Sequence, residues 1–185
     1  MAALTTPKAN LGWRAEDFSL AGVDGHQYSL NRVRGKNGLL VMFICNHCPF
    51  VQAIAGKLAV DMKKLQKADI GVVAIMSNDT EQYPADSFDN MKVFAKHQGF
   101  TFPYLFDETQ EVARAYGAVC TPDFFGFDKD LELRYRGRFD SSGREVNKEG
   151  KHELLEAMLQ IGETGAAPKD QMASIGCSIK WRQVS

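Results

Sequence analysis

LLVMFICNHCPFVQAIAGKL, residues 39–58, changes periodicity halfway along, and that change decides the fold. Leu39 to Ile44 is apolar at every position, as expected of a strand buried on both faces of a sheet. From Pro49 onward, Val51, Ile54, Ala55, Leu58, Met62 and Leu65 recur at three- and four-residue spacing, which predicts an amphipathic helix over 49–67. Pro49 suits the first helical turn, where its missing N–H leaves nothing unsatisfied. IGVVAIM at 70–76 is a second apolar strand, and two such strands joined by a helix form the unit of a parallel sheet.

Working outward, DFSL and QYSL flank the turn AGVDGH, so residues 17–30 read as a hairpin. Asp86 or Ser87 can cap a helix through Val93 and His97 that stops at Gly99. FPYLF is a short strand, and Asp107 or Thr109 can cap a helix through Val112, Ala113 and Tyr116 that ends at Gly117. DFFGFD and LELRYRG form an antiparallel hairpin, Glu149 to Leu159 a last helix, and residues 160–185 a Gly- and Ser-rich tail. The expectation is an α/β fold: a central mixed β-sheet with helices on both faces, an N-terminal β-hairpin and a C-terminal tail. One domain spans 1–185, with its core over about 14–160 and the tail over 161–185.

Composition excludes several functions. Hydrophobic residues at 44% against charged residues at 24% fit a globular chain rather than a disordered one. A net charge of -1 with dispersed basic residues offers no footprint for nucleic acid or an anionic membrane surface. The longest apolar run, Leu39 to Cys45, is far short of a membrane span, and the N-terminus shows no signal-peptide pattern. Both point to a cytoplasmic protein. Trp13 and Phe88, taken as exposed aromatics, permit a homodimer without demanding one.

Cys45 and Cys48 form a CxxC, whereas Cys120 and Cys177 stand alone. The strand ends near Ile44 and the helix begins at Pro49, so Cys48 falls at the helix mouth, where free N–H groups and the helix dipole favour a thiolate. Cys45, farther from that field, is the weaker nucleophile. His47 is either a source of positive charge or a solvent-facing loop residue. The pair also fits small hydrophobes filling a strand end, a zinc site lacking a second close pair, or a copper-binding module using Cys45, Cys48 and a histidine.

Taken with DFSLAGVDGHQYSL, VMFICNHCPF, FPYLFDETQEVARAYGAVCTPDFFGFD, YRGRFD and IGCSIKW, this segment resembles the thioredoxin superfamily. The closer likeness is to its peroxiredoxin-like branch, related to the alkyl hydroperoxide reductase and thiol-specific antioxidant (AhpC/TSA) family. The resemblance implies a thioredoxin-like fold and a thiol–disulfide oxidoreductase or thiol-dependent reductase with antioxidant activity, active in cell redox homeostasis without a bound cofactor. A peroxiredoxin-type peroxidase and a copper-binding thioredoxin-like module are the alternatives.

Cys48 aligns with the first reactive cysteine of thioredoxins, while Val51 stands at the partner position. Against the peroxiredoxin Pro-xxx-Thr-xx-Cys motif, Cys48 matches the cysteine, Cys45 replaces the threonine and Val41 the proline. Arg136 or Arg138 could replace the peroxide-orienting arginine, or be solvated surface residues. Thr121-Pro122 resembles the thioredoxin cis-proline pair, which implies that Cys120 lies near Cys48 and is a candidate resolving cysteine. Cys177 either covers the site from the tail or packs as an inert thiol. The implied partners are a protein or small-molecule thiol or disulfide, or a peroxide, with a thioredoxin- or glutathione-type electron donor.

Overall fold

The computed structural model describes residues 2–145 and 148–183. Strand β1 (Ala3–Thr5) precedes the hairpin of β2 (Ser19–Gly22) and β3 (Gln27–Ser29), which is followed by one helical turn, α1 (Leu30–Val33). The fully buried strand β4 (Gly38–Phe43) leads into helix α2 (Pro49–Lys67) and strand β5 (Ile70–Met76), matching the periodicity of the sequence. Lys64 and Lys67 in the last turn of α2 complement the negative end of its dipole.

Helix α3 (Phe88–Gln98) starts at Ser87, whose hydroxyl accepts from Asn90 N–H, and ends at Gly99 with φ 69°. That left-handed conformation carries little penalty only for glycine. Strand β6 (Tyr104–Phe106) is followed by α4 (Glu111–Tyr116), whose Val112 and Ala113 N–H groups donate to the Asp107 carboxylate. Strands β7 (Cys120–Thr121), β8 (Asp123–Phe127) and β9 (Leu133–Tyr135) precede α5 (Glu153–Thr164), which begins later than the sequence suggests. Strand β10 (Ile175–Ser178) lies inside the segment read as tail.

The main sheet has order β3-β2-β6-β5-β4-β8-β9; β4, β5 and β6 are parallel, and β2, β8 and β9 run antiparallel to their neighbours. Alternate residues of β4, continued by Ile44, serve opposite faces. Leu40, Met42 and Ile44 pack with Leu58 and Met62 of α2 and Leu154 and Met158 of α5, while Leu39, Val41 and Phe43 pack with Val33 and Tyr116. Each buried large side chain contributes about 1.5–3 kcal/mol, so α2 is held chiefly by this seam. The result is the α/β thioredoxin-like fold, a mixed sheet covered on both faces.

A smaller three-stranded sheet has order β1-β10-β7. Strand β10 pairs antiparallel with both neighbours, placing Cys177 opposite Ala3 on one side and opposite Thr121 on the other. This sheet brings the two terminal segments together beside the start of α2. Trp13 and Phe88 do not stand free as the sequence suggests: Trp13 packs against Tyr116, Phe125 and Phe127, and Phe88 lies partly buried near Phe106. Among the described residues no helix is long and apolar enough to cross a membrane.

Candidate active site

Cys48 is the N-cap of α2 and Pro49 its first residue, as the change of period at that point requires. Strand β4 ends just before, so the chain turns from sheet to helix through Ile44 to His47 and carries the sulfur to the carboxyl end of the parallel strands. The sulfur is fully buried. Its neighbours are the Cys177 sulfur at 2.9 Å and the Thr121 carbonyl at 3.1 Å, which accepts from the thiol when Cys48 is protonated.

Hydrogen bonding from the Cys45 thiol is the main influence lowering the Cys48 pKa, to about 4; burial opposes it, and the Cys177 thiol, the Thr121 hydroxyl and Val51 N–H add to the lowering. Val51 N–H faces the sulfur without closing a regular capping hydrogen bond. The helix mouth expected from the sequence acts on the sulfur through Val51 N–H, and neighbouring thiols that the sequence reading did not count add to it. Its two sulfur neighbours shift the other way. Cys45, donating to Cys48, buried and near Asp86, is pushed well up. Cys177 is raised to about 11 by burial and by its hydrogen bond to Cys48. The negative charge is thus centred on Cys48, with the protonated Cys177 thiol against it at 2.9 Å.

The Thr121-Pro122 bond is cis, as the resemblance implies. Thr121 contacts both cysteines of the CxxC, through its carbonyl to Cys48 and its hydroxyl, 3.4 Å away, to Cys45. Cys120, in the same strand, has its sulfur against the Pro122 carbonyl, and burial together with the Asp123 carboxylate holds its thiol strongly protonated. Cys177 is the thiol in direct contact with Cys48.

His47 is neither a free loop residue nor a partner of Cys48. Its Nδ1 lies 2.6 Å from Asp86, its ring stacks on Tyr83, and Cys45 is 4.0 Å away. Asp86 is fully buried and accepts from the backbone N–H of Asn46 and from the Asn78 amide, which fixes the loop between β4 and α2. Cys45, His47 and Asp86 offer ligand atoms within 4.8 Å of one another.

Each arginine of YRGR is paired with a carboxylate rather than left as a free surface cation, and Arg138, partly exposed, borders a cavity beside α2. Arg136 is buried, pairs with Asp123 through both Nε at 3.2 Å and Nη2 at 2.9 Å, and lies over the Phe125 ring. Arg138 makes a two-point contact with Glu153 at 2.6 and 2.9 Å.

The AhpC/TSA family profile matches residues 11–136. A solved structure of an uncharacterised conserved protein from Geobacillus kaustophilus is 44% identical, with a TM-score of 0.94, covering 100% of this chain and 99% of that one. A Mycobacterium tuberculosis protein with a provisional peroxiredoxin name is 26% identical over 89% of this chain and 94% of its own length. The thiol-disulfide oxidoreductase ResA of Geobacillus thermodenitrificans is 27% identical over 67% of each chain.

Proposed function

This chain belongs to the AhpC/TSA family, and from that membership and the packing of its thiols we propose that it is a thiol-dependent oxidoreductase in which Cys48 is the nucleophile and Cys177 the resolving thiol. The observation that carries the reading is a cysteine sulfur at a helix N-cap, 2.9 Å from a second cysteine sulfur brought from the far end of the chain. The Cys48 thiolate attacks one sulfur of a disulfide, forming a mixed disulfide and expelling a thiolate. The Cys177 thiol then loses its proton and attacks Cys48, closing the Cys48–Cys177 disulfide and releasing the second thiol. Two electrons pass to the substrate, and an external dithiol or two glutathione-type thiols return them.

Cys48→Ser abolishes substrate turnover in this reading, whereas Cys177→Ser stops it at the mixed disulfide, which intact-protein mass spectrometry detects. A Cys177→Ser variant that turns over at the wild-type rate with no trapped species refutes the pairing, and Cys120 and Cys45 then become the resolving candidates.

Peroxide reduction is the second enzymatic reading, supported by the family membership. Attack on the distal oxygen would leave Cys48 as a sulfenic acid and release water or an alcohol, and Cys177 would condense with the sulfenic acid to release water. Cys45 in place of the threonine and the commitment of Arg136 to Asp123 weigh against an efficient peroxidase. Copper binding draws on the Cys45, His47 and Asp86 cluster. However, Asp86 already accepts from Asn46 and Asn78, so the sulfurs would carry the ion. Protein purified without chelator and found free of copper removes that option. A cytoplasmic setting, a thioredoxin- or glutathione-type donor and a homodimer complete the proposal.

A further inference from the structure

A polypeptide that delivers a disulfide to Cys48 needs a backbone edge to lie along, and β7, whose Thr121 carbonyl touches the Cys48 sulfur, is the edge beside it. Extended segments commonly dock by adding a strand to such an edge. Here β10 already fills it. Its Cys177 pairs with Thr121 and puts a sulfur against Cys48, so the chain's own segment sits as a bound cysteine-containing peptide would.

The seat is closely fitted. A Cβ at Gly176 would fall 2.1 Å from the Thr121 carbonyl oxygen, well inside van der Waals contact, so only glycine lets β10 come this near. The segment is also tied at both ends. Ser174 Oγ donates to the Pro122 carbonyl at 2.8 Å and Ser174 N–H to Thr6 Oγ1 at 3.0 Å. Beyond the strand, Lys180 N–H donates to Asn78 Oδ1 at 2.9 Å, and the Gln110 amide donates to the Lys180 carbonyl at 2.8 Å. Next to this strand, a cavity of about 340 Å³ is bordered by Phe50 and Ile54 of α2, Pro122, Phe139 and Ser174. That volume and its mixed walls, which include Arg138 and Lys148, suit a small molecule.

We propose that β10 is a built-in occupant of the substrate edge, so the thiol centre accepts low-molecular-weight disulfides or hydroperoxides through the Phe50–Pro122 cavity and turns polypeptide disulfides away, with Gly176 setting that choice. The proposal rests on Cys48 being the nucleophile. Small reagents reach the sulfur through local motions that leave the strand pairing intact; a polypeptide must displace β10.

Access is measured apart from chemistry. Cys48 in the reduced protein is labelled with N-ethylmaleimide and with a maleimide carried on a long polyethylene glycol, and the labelled peptide is quantified by mass spectrometry. Both rates are divided by those of the unfolded chain. The wild-type protein should favour the small reagent by at least about tenfold, and Gly176→Ala should remove most of that preference, as expected for local opening of a displaced strand. If Gly176→Ala does not fold, Ser174→Ala, which cuts the tie to Pro122, must shift the ratio the same way. Equal labelling of wild type by both reagents, or an unchanged ratio in a folded variant, overturns the proposal.

In a second arm, reduced wild type is mixed with glutathione disulfide, hydrogen peroxide or insulin. Oxidation by either small reagent but not by insulin supports the proposal, and insulin reacting as fast as glutathione disulfide overturns it. A selective labelling ratio with no Cys48–Cys177 disulfide from any oxidant upholds the strand's role while refuting the catalytic reading.

Discussion

Cys48 combines a place at the start of a helix with a second thiol packed against its sulfur. Its thiolate is held by Cys45 first, with burial opposing and Cys177, Thr121 and Val51 assisting. Cys45→Ala removes the leading donor, so the pH at which Cys48 becomes half-reactive toward iodoacetamide should rise by about one unit or more, on the scale of one charge-assisted hydrogen bond. An unchanged profile would leave Val51 and the helix as the cause. Asp123 shows the opposite electrostatics. Desolvation raises its pKa despite Arg136, the sign that the buried pair lacks solvent compensation. Asp123→Asn leaves the Arg136 guanidinium buried without its counter-charge and should cost about 3–5 kcal/mol in urea unfolding, far above what an exposed pair would contribute. A loss below about 1 kcal/mol would mean that water reaches Arg136.

At the scale of elements, β4 and α2 are held together by the apolar seam that Leu58 anchors. Leu58→Ala should lower stability by about 2–5 kcal/mol, read as a fall in the urea midpoint with unchanged slope. These elements were legible because each buries a long regular pattern: consecutive apolar residues in β4 and three- and four-residue spacing in α2. Strand β10 was not. It has four residues, begins with an exposed Ile175, and follows a Gly- and Ser-bearing run, so no local pattern separates it from a tail. What makes it a strand is a distant edge, Thr121, and a glycine whose importance appears only when the two backbones meet. The sequence did carry one trace, the alternation of Cys177, Ile179 and Trp181. Arg136 was missed for a similar reason: YRGR alternates like a half-exposed strand, and the carboxylate that buries the arginine comes from β8.

For the whole molecule, redox state and pH act on the same sulfur. The folded pKa of Cys48 lies below that of an unfolded thiol near ~8.5, so the thiolate stabilises the reduced protein fully above that pH. The contribution is lost as pH falls toward about 4. The Cys48–Cys177 disulfide has no such group but closes a loop between residues 129 apart, a constraint of about 2–4 kcal/mol on the unfolded chain. The oxidised protein should therefore melt above the reduced one by a wider margin at pH 5 than at pH 8, measured by calorimetry on both forms. A margin that narrows toward acid would place the low pKa elsewhere. The same separation bears on the chain's birth at the ribosome. At ~5–20 residues per second, Cys177 emerges roughly ten seconds after Cys48. During that interval the Cys48 sulfur lacks the strand that covers it in the finished fold, so newly made chains rely on the surrounding thiol pool to keep it reduced until that strand arrives.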